Sequence, residues 1–236
     1  MNVIKPSILS REKSKIKTTY SGLNIAIVGP PKIGKTTFAS KLGDQVYFAA
    51  TEKGHDFVEI FKSEIGTWKD FEDLVNALTN EAHEYKHLVI DIFDRIHELA
   101  QREICARNKV KEIGDMPFGA GYSASKRLLI GELERINKIG IGITFITHAM
   151  EKEIKKDSIT WTAVTTSMSK SIEEKILGMC DIILFCYMDK NGNRMARTKP
   201  TKYIQCAGDR SGKLPETMLL DPKLVMALLY KQKELV

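Results

Sequence analysis

The chain has 236 residues, of which 43% are hydrophobic, and a formal net charge of +6 at pH 7. That length can bury one sizeable core, and no apolar run approaches the roughly 20 residues needed to span a bilayer. The four cysteines (Cys105, Cys180, Cys186 and Cys206) form no Cys-x-x-Cys pair, which argues against a zinc site or a disulfide framework.

The first residues lack an apolar signal stretch and a cleavage site, so a cytoplasmic protein with no membrane role is expected. Positive charge is clustered at 5–17, in "EKEIKK" at 151–156 and in "RMARTKPTK" at 194–202. Such clusters permit a nucleic-acid partner without requiring one.

In chain order, residues 1–20 read as a basic arm and 21–236 as one α/β domain. "LNIAIV" (23–28) is the first predicted strand, followed by a glycine-rich turn and a helix over "KTTFASKLG". Further strands are predicted at "QVYFAA" (45–50), "HLVIDI" (87–92), "IGITFIT" (141–147) and "DIILFCY" (181–187). Each is short and almost continuously apolar, as strands buried on both faces of a parallel sheet are.

Helical spacing marks "WKDFEDLVNALTNEAHEY", "DRIHELAQREICARN" and "YSASKRLLIGELERINKIG" between them. Strands alternating with helices predict a central, mainly parallel sheet. Short strands around "DKNGNR" and "CAGDRSG", then a helix near 222–234, complete the chain.

Gly29, Pro30, Pro31, Lys32, Ile33, Gly34, Lys35 and Thr36 match G-x-x-x-x-G-K-[ST], the Walker A pattern, between a predicted strand and a helix. Such a turn points several backbone N–H groups at one anion. Together with Thr37 it forms the expected nucleotide site. Lys35 reaches the β- and γ-phosphates, and the Thr36 hydroxyl ligates Mg²⁺. In "HLVIDIFD", Asp91 has the Walker B position for the metal, whereas Asp94 is expected to cap the next helix.

The residue after Asp91 is Ile92, where many transport and AAA+ ATPases carry a catalytic glutamate. RecA-type ATPases place that glutamate at the end of the strand following the P-loop helix, and "VYFAATEKG" puts Glu52 there as the candidate general base. "TFITHAM" puts Thr147 and His148 where a polar γ-phosphate sensor belongs. His83, His87 and His97 have no such position. "TKPT" at 198–201 lacks the aspartate of a guanine reader, which favours ATP over GTP.

Beyond the Walker motifs, "MPFGAGYSASKRLL", "TFITHAMEKEI", "SKSIEEKILGMCDIILFC" and "TKPTKYIQCAGDRSGKLPE" resemble a family of phage-encoded, AAA-type P-loop proteins. Its studied members are the RecA-core, Sak-type single-strand annealing ATPases. The likeness covers about residues 20–225. It implies a minimal RecA core, ATP hydrolysis with Mg²⁺, and single-stranded DNA binding. It also implies work in phage recombination or replication beside a single-strand DNA-binding protein; a homo-oligomer is expected, and the sequence does not distinguish ring from filament. The chain departs at Thr51, where the family often has an aspartate.

In RecA-type proteins the segment after the sensor strand contacts DNA. Here it is 149–170, with Lys152, Lys155 and Lys156 for phosphates and Trp161 for base stacking. The alternative for this segment is a surface β-hairpin turning at Lys-Asp-Ser. Arg210, and after it Lys199, are the candidates for a cation reaching a neighbouring subunit's active site. Two other functions fit the P-loop: a nucleotide kinase, and an ATP-gated loader or partner module with little hydrolysis.

Overall fold

The structure, a computed structural model, describes residues 20–230; the rest of the predicted basic arm (1–19) and residues 231–236 lie outside the described residues. Five strands form the centre of the sheet: β1 (Ile25–Gly29), β2 (Val46–Ala50), β4 (His87–Asp91), β5 (Gly142–Lys156) and β7 (Ile182–Met188). With β3 (Phe61–Glu64), β8 (Arg194–Arg197) and β10 (Thr217–Leu219), the order is β10-β8-β7-β1-β5-β4-β2-β3. The pairings from β7 through β3 are all parallel, and β8 and β10 add antiparallel strands beyond β7. Two strands lie off this path: β6 (Ile159–Thr166) pairs antiparallel with β5, and β9 (Gly208–Asp209) with β7.

Side chains alternate across the central strands, and both faces are dry. Ala26 and Val28 of β1 enter one core, and Ile25 and Ile27 enter the other. Helices α2 (Trp68–Asn80), α3 (Phe93–Asn108), α4 (Ala120–Lys138) and α5 (Lys170–Met179) cover the first face, through Phe71, Ile96, Leu133 and Ile176 among others. Helices α1 (Lys35–Ala39) and α6 (Pro222–Tyr230) cover the second through Phe38, Val225 and Leu229. Burial on both faces is why the strands are continuously apolar. The start of α2 is fixed by a capping box in which Asp70 N–H donates to Thr67 Oγ1 and Thr67 N–H donates to Asp70 Oδ2.

The predicted core strands are all present, and three features differ from expectation. Helix α1 ends at Ala39 rather than Gly43, where the chain tightens into turns such as Leu42 N–H to Ala39 O. Strand β5 does not stop at Thr147 but runs on to Lys156 and returns as β6 through a two-residue turn, Asp157–Ser158. Asp157 there has φ 53°. Asp94 does not cap α3: the cap position is Ile92, and Asp94 is turned toward β5.

His87 at the start of β4 is 2% exposed. Its Nδ1–H donates to Tyr20 O at 3.3 Å, and its Nε2 accepts from the Thr144 hydroxyl at 2.7 Å. Both nitrogens of the neutral ring are therefore satisfied. Burial pushes His87 down from the ordinary 6.5 to about 4. Between those values the unfolded chain binds a proton that the folded chain refuses, so stability falls as pH falls through this window. The expected loss is about 3 kcal/mol, at about 1.4 kcal/mol per pH unit. Urea unfolding at pH 7 and pH 4.5 should show a clearly smaller loss for His87→Gln than for the native chain. Equal losses would remove His87 as the cause.

Candidate nucleotide site

Because the central strands run parallel, their C-terminal ends meet at one edge of the sheet. Gly29 pairs in register with His148, Asp91 with Ile146, and Ala50 with Asp91. The edge therefore brings together the 29–36 loop, Thr51 and Glu52, Asp91, and Thr147 and His148. These are the positions expected of a ligand site in an open α/β sheet.

The loop has the backbone its glycines suggest. Gly34 has φ 103°, and Lys32 is also left-handed at φ 63°. A Cβ on Gly29 would stand 2.8 Å from Cys186 O, so only glycine lets the loop lie against β7. Lys35 is 6% exposed and its amine donates to Gly29 O and Pro30 O, each at 2.9 Å. Burial lowers the Lys35 pKa, while Cys186, Asp91, Asp94 and Glu52 oppose that shift. Pro30, Pro31, Lys32 and Thr37 are exposed along the loop's rim, and Ile33 is buried beneath it.

Thr36 Oγ1 donates to Asp91 Oδ2 at 2.6 Å, which joins the two predicted metal-side residues directly. His55 Nε2 reaches the same oxygen at 3.2 Å. A carboxylate only accepts, so the His55 proton sits on Nε2. Its Nδ1 is buried with no partner among the described residues. His55 is not among the site residues expected from the sequence. Its only signal is a histidine three residues beyond Glu52, in the loop that closes over Asp91.

Thr51 supplies a second clamp. Its hydroxyl accepts from Ile92 N–H at 2.8 Å and donates to Ile92 O at 3.1 Å, and its own N–H donates to Asp91 O. Thr51 thus fixes the chain just after Asp91.

The carboxylates near Lys35 differ in what holds them. Asp91 is engaged by Thr36 and His55. Asp94 accepts from Thr147 Oγ1 and Ser167 Oγ, each at 2.7 Å, and so ties α3 to the middle of β5 and to the chain after β6. Glu52 is exposed at the end of β2 and hydrogen-bonds to no described residue. Thr147 is committed to Asp94, whereas His148 Nδ1 is buried and without a described partner.

Among the residues expected to touch DNA, register separates Lys152 from Lys155. Lys152, Ile154 and Trp161 share one face of the β5–β6 hairpin, and Lys155 lies on the other. Lys152 donates to Met168 O at 2.8 Å and lies 3.7 Å from Glu173, while Lys155 pairs with Glu153 at 3.4 Å. Trp161 Nε1–H donates to Lys202 O, and the Lys202 amine lies 5.1 Å over the ring, so the indole packs on the 201–204 segment. Lys156 pairs in register with Ile159 beside the hairpin turn.

Arg210 is remote from the loop within the chain. It donates to Asp181 Oδ1 and Gly178 O, at the end of the sheet where β1 and β7 begin. Lys199 lies 3.7 Å from Asp209.

A phosphate loop after a central strand, and a carboxylate two strands away across the intervening β5, define a P-loop NTPase core. The chain belongs to the AAA domain family, whose profile matches residues 21–211. It is 26% identical over 192 residues to the SPbeta prophage-derived uncharacterized protein YorG of Bacillus subtilis (strain 168). That match covers 78% of this chain and 56% of the relative, so the chain spans little more than half of the relative's length. The crystal structure of the RadB recombinase is similar at a TM-score of 0.46 and 16% identity, over 75% of this chain and 80% of that one. Among the described residues no helix is long and apolar enough to cross a membrane.

Proposed function

We propose that this protein binds and hydrolyses ATP with Mg²⁺ and couples hydrolysis to single-stranded DNA, in annealing or strand exchange. The observation that carries the reading is the Thr36–Asp91 contact at 2.6 Å beside the buried Lys35 amine. A hydroxyl, a carboxylate and a cation converge there on the mouth of the loop. This donor set suits a Mg²⁺-bound triphosphate, with Thr36 and Asp91 facing the metal and Lys35 the β- and γ-phosphates. The ion would draw off charge that builds on the phosphates during transfer.

The protein's own groups divide the remaining work. Lys35 binds and orients the phosphates, and His55 and Thr51 hold Asp91 in place. Glu52 takes the proton of the attacking water, and His148 donates to the γ-phosphate. Coupling to DNA is supported by β5, one unbroken strand that carries His148 beside Gly29 and continues into the hairpin that holds Lys152, Lys155 and Lys156. Lys152, Lys155, Lys156 and Trp161 are the hairpin's DNA contacts in this reading, and Trp161 would have to exchange Lys202 for a base. Arg210 or Lys199 could serve a neighbouring site in a homo-oligomer only by leaving its present carboxylate. The prophage-derived relative supports a phage setting; work in recombination or replication beside a single-strand binding protein is part of the same proposal.

The freedom of Glu52 favours a second reading, an ATP-gated module that hydrolyses slowly. Steady-state hydrolysis at low salt, with and without long single-stranded DNA, separates the two. Stimulation by single strands but not duplex is the expected result. Turnover indifferent to DNA, or phosphorylation of a nucleoside monophosphate, would overturn the DNA-coupled reading. Tight ATP binding without turnover would establish the gated module instead.

A further inference from the structure

The order of the sheet gives the phosphate loop a direction. Asp91, Glu52 and His148 all lie on the β5, β4 and β2 side of β1. A triphosphate laid along the loop with its γ end toward Asp91 must send its nucleoside the other way, toward β7 and β8. On that side the structure has a cleft of about 580 Å³, lined by Gly34, Thr37 and Lys41 next to Arg194, Asp221 and Lys223.

Arg194 is the first residue of β8, directly after the turn from β7. Its side chain lies against the loop: a Cβ built on Gly34 would be 3.2 Å from Arg194 Nη1 and 3.5 Å from Cζ. A side chain at position 34 would therefore be strained at φ 103° and would also press on the guanidinium. The guanidinium hydrogen-bonds to no described residue, as is true of Arg102 and Arg127, whereas Arg95, Arg107, Arg135, Arg197 and Arg210 hold carboxylates. It is an exposed planar cation, set where the loop opens into the cleft.

We propose that this cleft is the nucleoside subsite and that Arg194, acting in the same chain, stacks its guanidinium on the base of the bound nucleotide. The inference rests on the ATP-binding reading and adds the residue that recognises the nucleoside. A guanidinium plane stacks on a base, whereas an ammonium of equal charge does not. Stacking also explains why Arg194 lies against Gly34 and pairs with no described carboxylate.

Calorimetric titration with ATP and with inorganic tripolyphosphate, both in Mg²⁺ buffer, tests the assignment. The native chain should bind ATP more tightly than tripolyphosphate. Arg194→Ala should weaken ATP about tenfold and leave tripolyphosphate unchanged. Arg194→Lys, which keeps the charge, should not restore ATP affinity. Equal weakening of both ligands, or full rescue by lysine, would make Arg194 a phosphate contact and overturn the proposal. Unchanged ATP affinity in Arg194→Ala would overturn it as well. A native chain that binds neither ligand would refute the phosphate-site reading itself, a separate and recognisable failure.

Discussion

Lys35→Ala is expected to reduce ATP turnover by at least a factor on the order of a thousand, since removing one preorganised donor to developing charge already costs about 10²–10³. The argument comes from where the amine is kept. It is buried, and its own loop holds it through Gly29 O and Pro30 O. Burial penalises the charged form, as the lowered pKa records. A cation held against that penalty is available to an incoming phosphate. The alanine variant should therefore melt no lower than the native chain while losing phosphate binding, and this pairing of results separates a binding role from a structural one. A melting curve beside a turnover assay checks both halves. Native turnover in the variant would sink the site assignment.

Glu52→Gln is expected to bind ATP with native affinity and hydrolyse it about 10²–10⁴-fold more slowly, the usual contribution of a general base. The structure narrows the choice of base by occupation. Of the carboxylates near Lys35, Asp91 is engaged by Thr36 and His55, and Asp94 by Thr147 and Ser167. Glu52 alone accepts no hydrogen bond from a described residue and stands free at the edge of the site. Binding measured with a fluorescent ATP analogue, followed by single-turnover hydrolysis, distinguishes the outcomes. Unimpaired hydrolysis would transfer the role to another group. Loss of binding would make Glu52 a ligand-holding residue instead.

Much of this was legible in the chain itself. The strands of the central sheet could be read because a strand covered on both faces must be apolar at successive positions, and "IAIVG" and "HLVID" are. The 29–36 loop could be read because close approach of backbone to an anion demands glycine at fixed places. Glu52 and Asp91 could be placed together because they stand at strand ends, which parallel strands present at one edge; His148 reaches the same edge from inside β5.

What escaped the reading depends on contacts distant in sequence. Strand β3 escaped because it lies at the edge of the sheet, exposed or half-exposed through "FKSE", and has no apolar pattern to reveal it. Residues 149–170 read either as a DNA-contacting segment or as a surface hairpin turning at Lys-Asp-Ser, because "EKEIKK" is polar and is a strand by pairing with β6, not by burial. Asp94 looked like a helix cap from its neighbours, and the hydroxyls that claim it belong to residues 147 and 167. His55 and Arg194 are ordinary loop and turn residues until folding sets one on Asp91 and the other on Gly34. Composition and periodicity thus determined the layers and the phosphate loop, because burial and backbone geometry act on neighbouring residues. The order of the strands was decided only in three dimensions, where pairing sets which side of the loop faces Asp91 and which faces Arg194.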